Sequence, residues 1–432
     1  MGLFKQNYLL DKPEKNSTWT WHILQISLVL LPFIPSLAVV LLVIFTLVLW
    51  QKHWQKIILD PLTWSFICLS FWLIINSSIA YKPIEAWLGL ANFLPFFCLA
   101  IALIYLIQSP QQLNRLAWLL VLPSPLIVSL GMGQLYGNFA LPNILGVELI
   151  AGGVPPTRMA SIFSYANILA IYLLIIFSLN LGLFFLNYFS PQTGKFSTLI
   201  ILGICLTFNI VGLVLTNSRN AWALSVLVAL AFALYIGWRW LVLAVSSAIA
   251  AIAWATVGVN PSRDWFRKII PAYVWSRLSD QMYPDRPVNT LRITQWQFAS
   301  NLTQQRPWQG WGLRNFSVLY EEKTGIWFGH PHNLLLMFTA EIGIIGTILF
   351  SLIIGFILVK AIIVWQVSCE LKQLTSQTAL IIYSFLIAFI SCLLFNFLDI
   401  SIYDLRVNTI GWLILGCLAG LGKNLQRSSP NC

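Results

Sequence analysis

Long apolar runs separated by short polar connections constrain this chain more than any other feature of its sequence. These runs approach the roughly 20 residues that an α-helix needs to cross the hydrocarbon of a bilayer. Only 9 % of the 432 residues are charged and 58 % are hydrophobic, whereas soluble domains carry about 25 % charged residues. Because a membrane-spanning segment must satisfy its own backbone hydrogen bonds, the pattern predicts an all-α polytopic membrane protein.

The number of predicted spans depends on two prolines in the first apolar run. The runs occupy residues 22–49, 62–80, 86–107, 114–131, 163–187, 197–216, 219–238, 240–258, 334–364, 378–396 and 402–422. The first run is too long for one span, and Pro32 and Pro35 favour a turn within it. Splitting it into a helical hairpin gives about 12 transmembrane helices in a single membrane domain, residues 1–432. Residues 259–333 then form one large external loop between the ninth and tenth predicted helices.

Positive charges indicate the orientation of these helices. If the 259–333 loop is external, the even number of helices places both termini in the cytoplasm. Twelve Lys and Arg residues then lie in inside connections, and four lie in short outside connections, namely Lys82, Arg158, Arg219 and Arg406. This distribution obeys the positive-inside rule. The net charge of +11 therefore needs no nucleic-acid partner, and the seven scattered cysteines indicate neither disulfides nor a thiolate metal site.

Two histidines lie in the sequence GHPHN, immediately before the tenth predicted helix. Histidine titrates near neutrality, so His332 is a candidate base that takes a proton from a hydroxyl group. A structural alternative is that His332 or Asn333 caps the helix. His330 is two residues away, but Pro331 makes a shared metal site awkward. No Asp, Glu or Cys cluster in the sequence completes such a site, so no metal and no cofactor are expected.

Arginines near the predicted outer face are candidates for binding anions. Arg219, in NSRNAW, and Arg292 are suited to hold phosphate or carboxylate oxygens, because a guanidinium binds them bidentately. Arg219 is equally compatible with an interfacial arginine that extends to the membrane surface. Arg406 is expected to pair with Asp399 or Asp404.

Glu341 is the one carboxylate in the apolar sequence that follows GHPHN. It comes nine residues after His332, so on a straight helix the two side chains point in different directions. The sequence therefore predicts that Glu341 packs between helices or pairs with an arginine.

Four segments together resemble the O-antigen ligase and polymerase family of bacterial envelope glycan assembly. They are RMASIFSYANILA at 158–170, NSRNAW at 217–222, LRITQWQFASNLTQQRPWQGWGLRNF at 291–316 and HPHNLLLMFTAEIGIIG at 330–346. Each motif is loose, but their order and their placement relative to the predicted helices are more specific. The resemblance covers the central and C-terminal two-thirds of the chain.

This resemblance implies a fold similar to that of C-type glycosyltransferases and a metal-independent, inverting transfer. A glycan would move from an undecaprenyl-pyrophosphate carrier to an acceptor at the periplasmic face of the inner membrane. The acceptor would be lipid A core, as in lipopolysaccharide, a polysaccharide or a protein. By resemblance, Arg219 and Arg292 hold the pyrophosphate and His332 is the base. Secondary candidates are His330, Arg158, Arg314 and Glu341.

Other functions remain compatible with the residues. A polysaccharide polymerase of the same family would share these motifs. A solute transporter, for example of bicarbonate, would be expected to show repeats and broken helices near mid-membrane. The sequence shows no such repeat, and its polar residues gather at one membrane face. A purely structural membrane scaffold would leave the Arg and His residues unexplained.

Overall fold

The computed structural model describes residues 18–190, 195–272, 275–276, 287–370 and 375–428. Its helices are α1 (Thr18–Leu30), α2 (Pro35–Ile58), α3 (Pro61–Ser78), α4 (Pro83–Gly89), α5 (Leu94–Leu106), α6 (Pro110–Val121), α7 (Ser124–Tyr136), α8 (Ala166–Tyr188), α9 (Lys195–Leu215), α10 (Arg219–Ile236), α11 (Arg239–Val257), α12 (Ser262–Ile269), α13 (Arg292–Gln305), α14 (Asn315–Thr324), α15 (Leu334–Glu341), α16 (Gly343–Glu370), α17 (Thr375–Phe395) and α18 (Leu405–Ser428). A short antiparallel hairpin, β1 (Leu141–Ile144) and β2 (Val147–Leu149), follows α7.

The helices confirm an all-α polytopic membrane protein. Within the described ranges, eleven helical segments are long and apolar enough to cross a membrane, and α4–α5 and α6–α7 each count as one of them. The predicted hairpin in the first apolar run is also present, because α1 ends at Leu30 and α2 starts at Pro35. The first of the twelve predicted spans corresponds to α1, which has only 13 residues.

The long helices run between two ends of the bundle. At one end, here called the site end, the start of α15 meets the end of α17, where Leu334 N donates to Asn396 O at 2.8 Å. The end of α9 lies there too, since Met159 N donates to Leu215 O at 2.9 Å. At the opposite end, the hydroxyl of Tyr105, on α5, donates to Lys56 O at 2.7 Å. The ends of the bundle at which these helices start and stop agree with the predicted order of spans across the membrane.

Part of the predicted external loop is helical and packs at the site end. Residues Arg292–Gln305 of this loop form α13. A small apolar cluster joins α13, α14 and α15, and its buried members are Ala299, Leu302, Phe316, Tyr320 and Ala340.

The PWQGWG turn, Pro307 to Gly312, attaches this part of the chain to the membrane helices. Trp311 N donates to Ala340 O at 2.9 Å, and Gly312 N donates to Glu341 O at 2.8 Å. Ile344 N, in the first turn of α16, donates in return to Pro307 O at 2.8 Å. The turn thereby braces the junction between α15 and α16, the helices that follow GHPHN.

Candidate functional site

A buried carboxylate lies beside the two histidines of GHPHN. Oδ1 of Asp399 is 3.0 Å from Nδ1 of His332 and 3.9 Å from Nε2 of His330. The Asp399 side chain is only 7 % exposed, whereas that of His332 is 24 % exposed. The cluster therefore has a buried anion behind a histidine that retains access to the surface.

Local structure explains why these side chains meet. Asp399 follows the end of α17, and its Oδ1 also accepts from the Ile400 N–H at 2.9 Å. Asn333 caps α15 by accepting from Leu336 N at 3.0 Å, which confirms one of the predicted capping residues. His332 precedes this cap with a φ of 54°, a left-handed conformation that is uncommon for a residue other than glycine. This backbone turn directs the His332 side chain towards Asp399.

The hydrogen bonds assign a protonation state to each histidine. Nδ1 of His330 accepts from the His332 backbone N–H at 3.2 Å, so this atom carries no hydrogen. Burial lowers the pKa of His330 to about 4, and the charges of His332 and Arg292 act in the same direction, so His330 is neutral at physiological pH. His330 thus holds the His332 backbone and has no free basic Nδ1.

Asp399 is ionised, and its charge decides the tautomer of His332. Burial acts to raise the pKa of Asp399, but the hydrogen bond with His332 and the positive charge of Arg292 lower it to about 2. An ionised carboxylate only accepts hydrogen bonds. Nδ1 of neutral His332 therefore carries the hydrogen, and Nε2 keeps the lone pair that a base requires.

Two further polar residues, Asn167 and Arg158, are hydrogen-bonded in series to Asp399. The amide of Asn167, in the first turn of α8, donates to Oδ2 of Asp399. Arg158 donates in turn to Oδ1 of Asn167, and its Nε donates to Thr216 O at 2.8 Å. The secondary candidate Arg158 thus supports Asp399 through Asn167, and three contacts separate Arg158 from His332.

Arg406 anchors the segment that carries this support. It pairs with Asp404 at 3.0 Å, so it pairs with one of the two aspartates expected from the sequence and leaves Asp399 to the histidines. Its Nη1 donates to Ile162 O at 2.7 Å, and its guanidinium lies 4.1 Å from the centre of the Phe163 ring. Arg406 therefore fixes the chain between Arg158 and Asn167.

The two arginines expected to bind an anion lie at the site end. Arg292 starts α13, is exposed, and lies close enough to the histidine cluster to lower the pKa of His330 and Asp399. Arg219 starts α10 and is partly buried. Its neighbour Asn220 donates to Phe395 O at 3.0 Å, which joins the start of α10 to the segment that leads to Asp399.

Arg314 and Glu341 lie in the packing between the loop and the helices. Arg314 forms an ion pair with Glu85 at 3.3 Å. Glu341 is buried, and its Oε1 accepts from Phe316 N at 3.2 Å. Burial raises the pKa of Glu341 to about 8. These contacts agree with helix packing, which is one of the two roles expected for Glu341. Among the described ion pairs, Glu341 has no arginine partner.

The expectation that no carboxylate completes a metal site beside the histidines is wrong. Ligand atoms of His330, His332 and Asp399 lie within 4.8 Å of one another, so the three side chains could hold one metal ion. Sequence separation hid this arrangement, because Asp399 is 67 residues from His332. In the structure, however, Nδ1 of His332 bonds directly to the carboxylate.

Sequence reasoning missed Asp399 and Asn167 as parts of the site. The sequence pattern indicates Asp399 only as a possible partner of Arg406. A signal was present, because an aspartate at the end of an apolar run is costly in a membrane protein and marks a functional position by default. Asn167 lies within the 158–170 motif, but an asparagine in the first turn of a helix carries little information by itself.

Comparison with known protein families adds an independent observation. Residues 201–351 match a family model described as O-antigen ligase. The match runs from within α9 to the first turns of α16 and includes Arg219, Arg292 and His332. No curated protein matches the chain. The resemblance expected from the four motifs is thus confirmed.

Proposed function

We propose that this multi-pass membrane protein, which carries an O-antigen ligase domain at residues 201–351, is a glycosyltransferase with a lipid-linked donor. It moves a glycan from undecaprenyl pyrophosphate to an acceptor hydroxyl at the periplasmic face of the bacterial inner membrane. The observation that carries the proposal is the 3.0 Å contact between Nδ1 of His332 and Oδ1 of Asp399. It leaves Nε2 of a partly exposed histidine available to an acceptor.

In this mechanism, His332 takes the proton of the acceptor hydroxyl as the oxygen attacks the anomeric carbon of the glycan. The bond between that carbon and the pyrophosphate oxygen breaks, and undecaprenyl pyrophosphate leaves with the bonding electrons. Attack opposite the leaving group inverts the anomeric configuration. Asp399 stabilises the imidazolium that forms and keeps its ring in position, in the way that a buried carboxylate supports a histidine base.

Arg219 and Arg292 have the second role, which is to hold the pyrophosphate. Negative charge accumulates on the leaving group as the bond breaks, and fixed guanidinium groups lower the energy of that charge. The position of Arg292 beside the cluster supports this role, as does the link between the start of α10 and Phe395. Pyrophosphate is a good leaving group, so one base and these charges are sufficient chemistry.

We further propose that transfer needs no metal, although three side chains could hold one. Support comes from the partner that a potential ligand atom of His332 already has, because Nδ1 of His332 bonds to Oδ1 of Asp399. We expect full transfer after EDTA treatment and dialysis, with no stoichiometric metal in the purified protein by elemental analysis. Loss of transfer that Zn²⁺ or Mn²⁺ restores would contradict this expectation.

The test of the function is transfer in proteoliposomes. Undecaprenyl-pyrophosphate glycan would be supplied with lipid A core, polysaccharide or protein acceptors, and products would be separated by mass. We expect transfer by the wild type and a loss of at least about 100-fold in His332→Ala, as removal of a general base predicts. His22→Ala is the matched control, because His22 is an exposed histidine on α1.

The outcomes separate the alternative functions. Products with one added glycan indicate a ligase, and a ladder of longer products on the carrier indicates a polymerase. Undiminished transfer by folded His332→Ala would remove His332 as the base. Saturable bicarbonate uptake without transfer to any acceptor would favour a transporter.

A further inference from the structure

The hairpin of β1 and β2 presents an uncharged apolar stretch on the surface. Every residue from 136 to 146 is exposed. The large apolar side chains among them, between 37 % and 72 % exposed, are Tyr136, Phe139, Leu141, Ile144 and Leu145. The sequence has no charged residue between Arg115 and Glu148. An exposed apolar surface of this kind marks a contact with lipid or with another protein, and it has no part in the proposed glycan transfer.

Gln134, near the end of α7, fixes the base of this hairpin at the site end. Its side chain is buried, and its Nε2 donates to Ile150 O at 2.8 Å while its Oε1 accepts from Ser161 N at 2.8 Å. Close to Ser161 in the chain, Met159 N donates to Leu215 O, where α9 ends. The hairpin therefore projects from a defined position at the site end.

Other exposed parts of the site end differ from the hairpin in charge. On α14, Glu321, Glu322 and Lys323 are all exposed, as water-facing charged residues usually are. The hairpin lacks such side chains, and β1 is exposed at all four of its positions, so neither of its faces is buried against the described part of the chain. A two-stranded hairpin in that situation is marginally stable in water. Its composition and exposure thus favour a partner that covers it.

Helix α2 indicates the depth of the hairpin tip in the membrane. The hydroxyl of Ser36, the second residue of α2, donates to Leu145 O at 3.3 Å. The first charged residue of α2 is Lys52. At 1.5 Å per residue, Ser36 and Lys52 are about 24 Å apart, which is less than the roughly 30 Å thickness of the hydrocarbon layer. With Lys52 at the boundary of the opposite leaflet, the tip lies at or just inside the hydrocarbon of the leaflet at the site end.

We propose that the hairpin inserts the side chains of Ile144 and Leu145 into the phospholipid leaflet at the site end. Open strand edges do not occur in hydrocarbon, because their unpaired backbone groups have no water to bond to there. The strands therefore lie at the level of the head groups, and only the side chains of the tip reach the acyl chains. Apolar side chains of interfacial segments are buried to a similar depth. The depth of the tip and its lack of charge make acyl chains the occupant.

The experiment is the quenching of a bimane fluorophore on Leu145→Cys, in full-length protein whose seven native cysteines are replaced. The protein is reconstituted at a low protein-to-lipid ratio in phosphatidylcholine vesicles, without donor or acceptor. The quenchers are phosphatidylcholine with a nitroxide near the start of one acyl chain, and iodide on both sides of the vesicle membrane. Leu352→Cys, at a residue that is 64 % exposed within the membrane-spanning α16, is the lipid-facing control. Lys323→Cys on α14 is the water-facing control.

We expect the nitroxide lipid to quench the label of Leu145→Cys at least as strongly as that of Leu352→Cys. Iodide should quench it at least about fivefold less than the label of Lys323→Cys, because a side chain among acyl chains is removed from the aqueous phase. Neither result depends on glycan transfer, since no substrate is present.

Two results would overturn the proposal. Quenching by iodide as strong as in Lys323→Cys would place the tip of the hairpin in water. Protection from both quenchers would mean that protein covers the tip, either this chain or a second copy of it. Size-exclusion profiles and melting temperatures check that each variant is folded, and Ile144→Cys provides a second position if Leu145→Cys is not.

Discussion

Asp399 determines what the neighbouring histidines can do. Its carboxylate is ionised and accepts from several donors, including the Ile400 N–H at 2.9 Å and the Asn167 amide. His332 is the only one of the two histidines whose ring nitrogen contacts that carboxylate within hydrogen-bonding distance, at 3.0 Å against 3.9 Å for His330. This contact distinguishes His332, the proposed base, from His330, whose side chain has the same chemistry.

Asp399→Asn should reduce glycan transfer by about 100-fold or more with little change in folding. Asparagine has nearly the same shape, but its amide can donate to Nδ1 of His332, which favours the tautomer without a lone pair on Nε2, and it no longer stabilises the imidazolium. The measurement is the initial rate in proteoliposomes. Asp264→Asn, at an exposed aspartate on α12 paired with Arg263, is the matched control. A rate within about threefold of the wild type would show that Asp399 is not required to position the base.

Glu341 should make stability depend on pH. Burial raises its pKa from 4.5 to about 8, so the folded protein binds a proton that the unfolded chain releases between these values. The associated stability is complete below about pH 4.5 and is lost as the pH rises through about 8. Its Oε2 has no hydrogen-bond partner among the described residues, which agrees with a neutral carboxyl group.

Glu341→Gln, which imitates the neutral form, should therefore stabilise the protein selectively at high pH. We expect similar melting temperatures for wild type and variant near pH 5 and a higher value for the variant near pH 9. Thermal unfolding in detergent across this range is the measurement. A difference that stays constant with pH would mean that Glu341 does not titrate between the two values.

Among the elements of the fold, the PWQGWG turn depends on glycines that no other residue can replace without strain. Gly310 has a φ of +70°, and a Cβ atom there would lie 2.5 Å from Glu341 O. Gly343 faces the turn with the same φ, and its Cβ would lie 2.1 Å from Trp308 O. Close backbone contact is what lets the turn brace the start of α16.

Gly310→Ala should destabilise the protein more than Gly325→Ala. Gly325 has a φ of +69° but open space around its missing Cβ, so alanine there costs only the backbone conformation, about 1 kcal/mol. Alanine at position 310 adds the steric clash, and we expect a total of about 2 kcal/mol or more. Chemical unfolding in detergent measures both. Equal losses would indicate that the turn moves away without cost.

Over the whole molecule, the bundle separates the site end, which carries the histidine cluster, from the opposite end, where Lys423 bonds to Asp60. Lys323 is exposed on α14. If the histidine cluster faces the periplasm, the cysteine of a Lys323→Cys variant should react with a membrane-impermeant maleimide in intact spheroplasts. A cysteine in place of Lys52, on α2, should react only after permeabilisation. Both variants need a background in which the seven native cysteines are replaced. The reverse pattern would invert the proposed orientation and exclude periplasmic transfer.

The amino-acid sequence alone is sufficient to predict the membrane class, the helical hairpin at Pro32 and Pro35, and the polar segment that carries His332. These features are local: a span needs a given length of apolar residues, and proline interrupts a helix wherever it occurs. The family resemblance was readable for the same reason, since its motifs are contiguous. Even the cap at Asn333 follows from residue type and the apolar run beside it.

Which residues form the candidate site, and how each contributes to it, depends on the packing of the helices. Asp399 meets His332 because α17 ends where α15 begins, and Asn167 reaches Asp399 because α8 starts at the same end. Such meetings depend on how helices far apart in the sequence pack, which hydrophobic periodicity does not encode. The protonation of His330, the burial of Glu341 and the contact of Lys423 with Asp60 depend likewise on surroundings that exist only after folding.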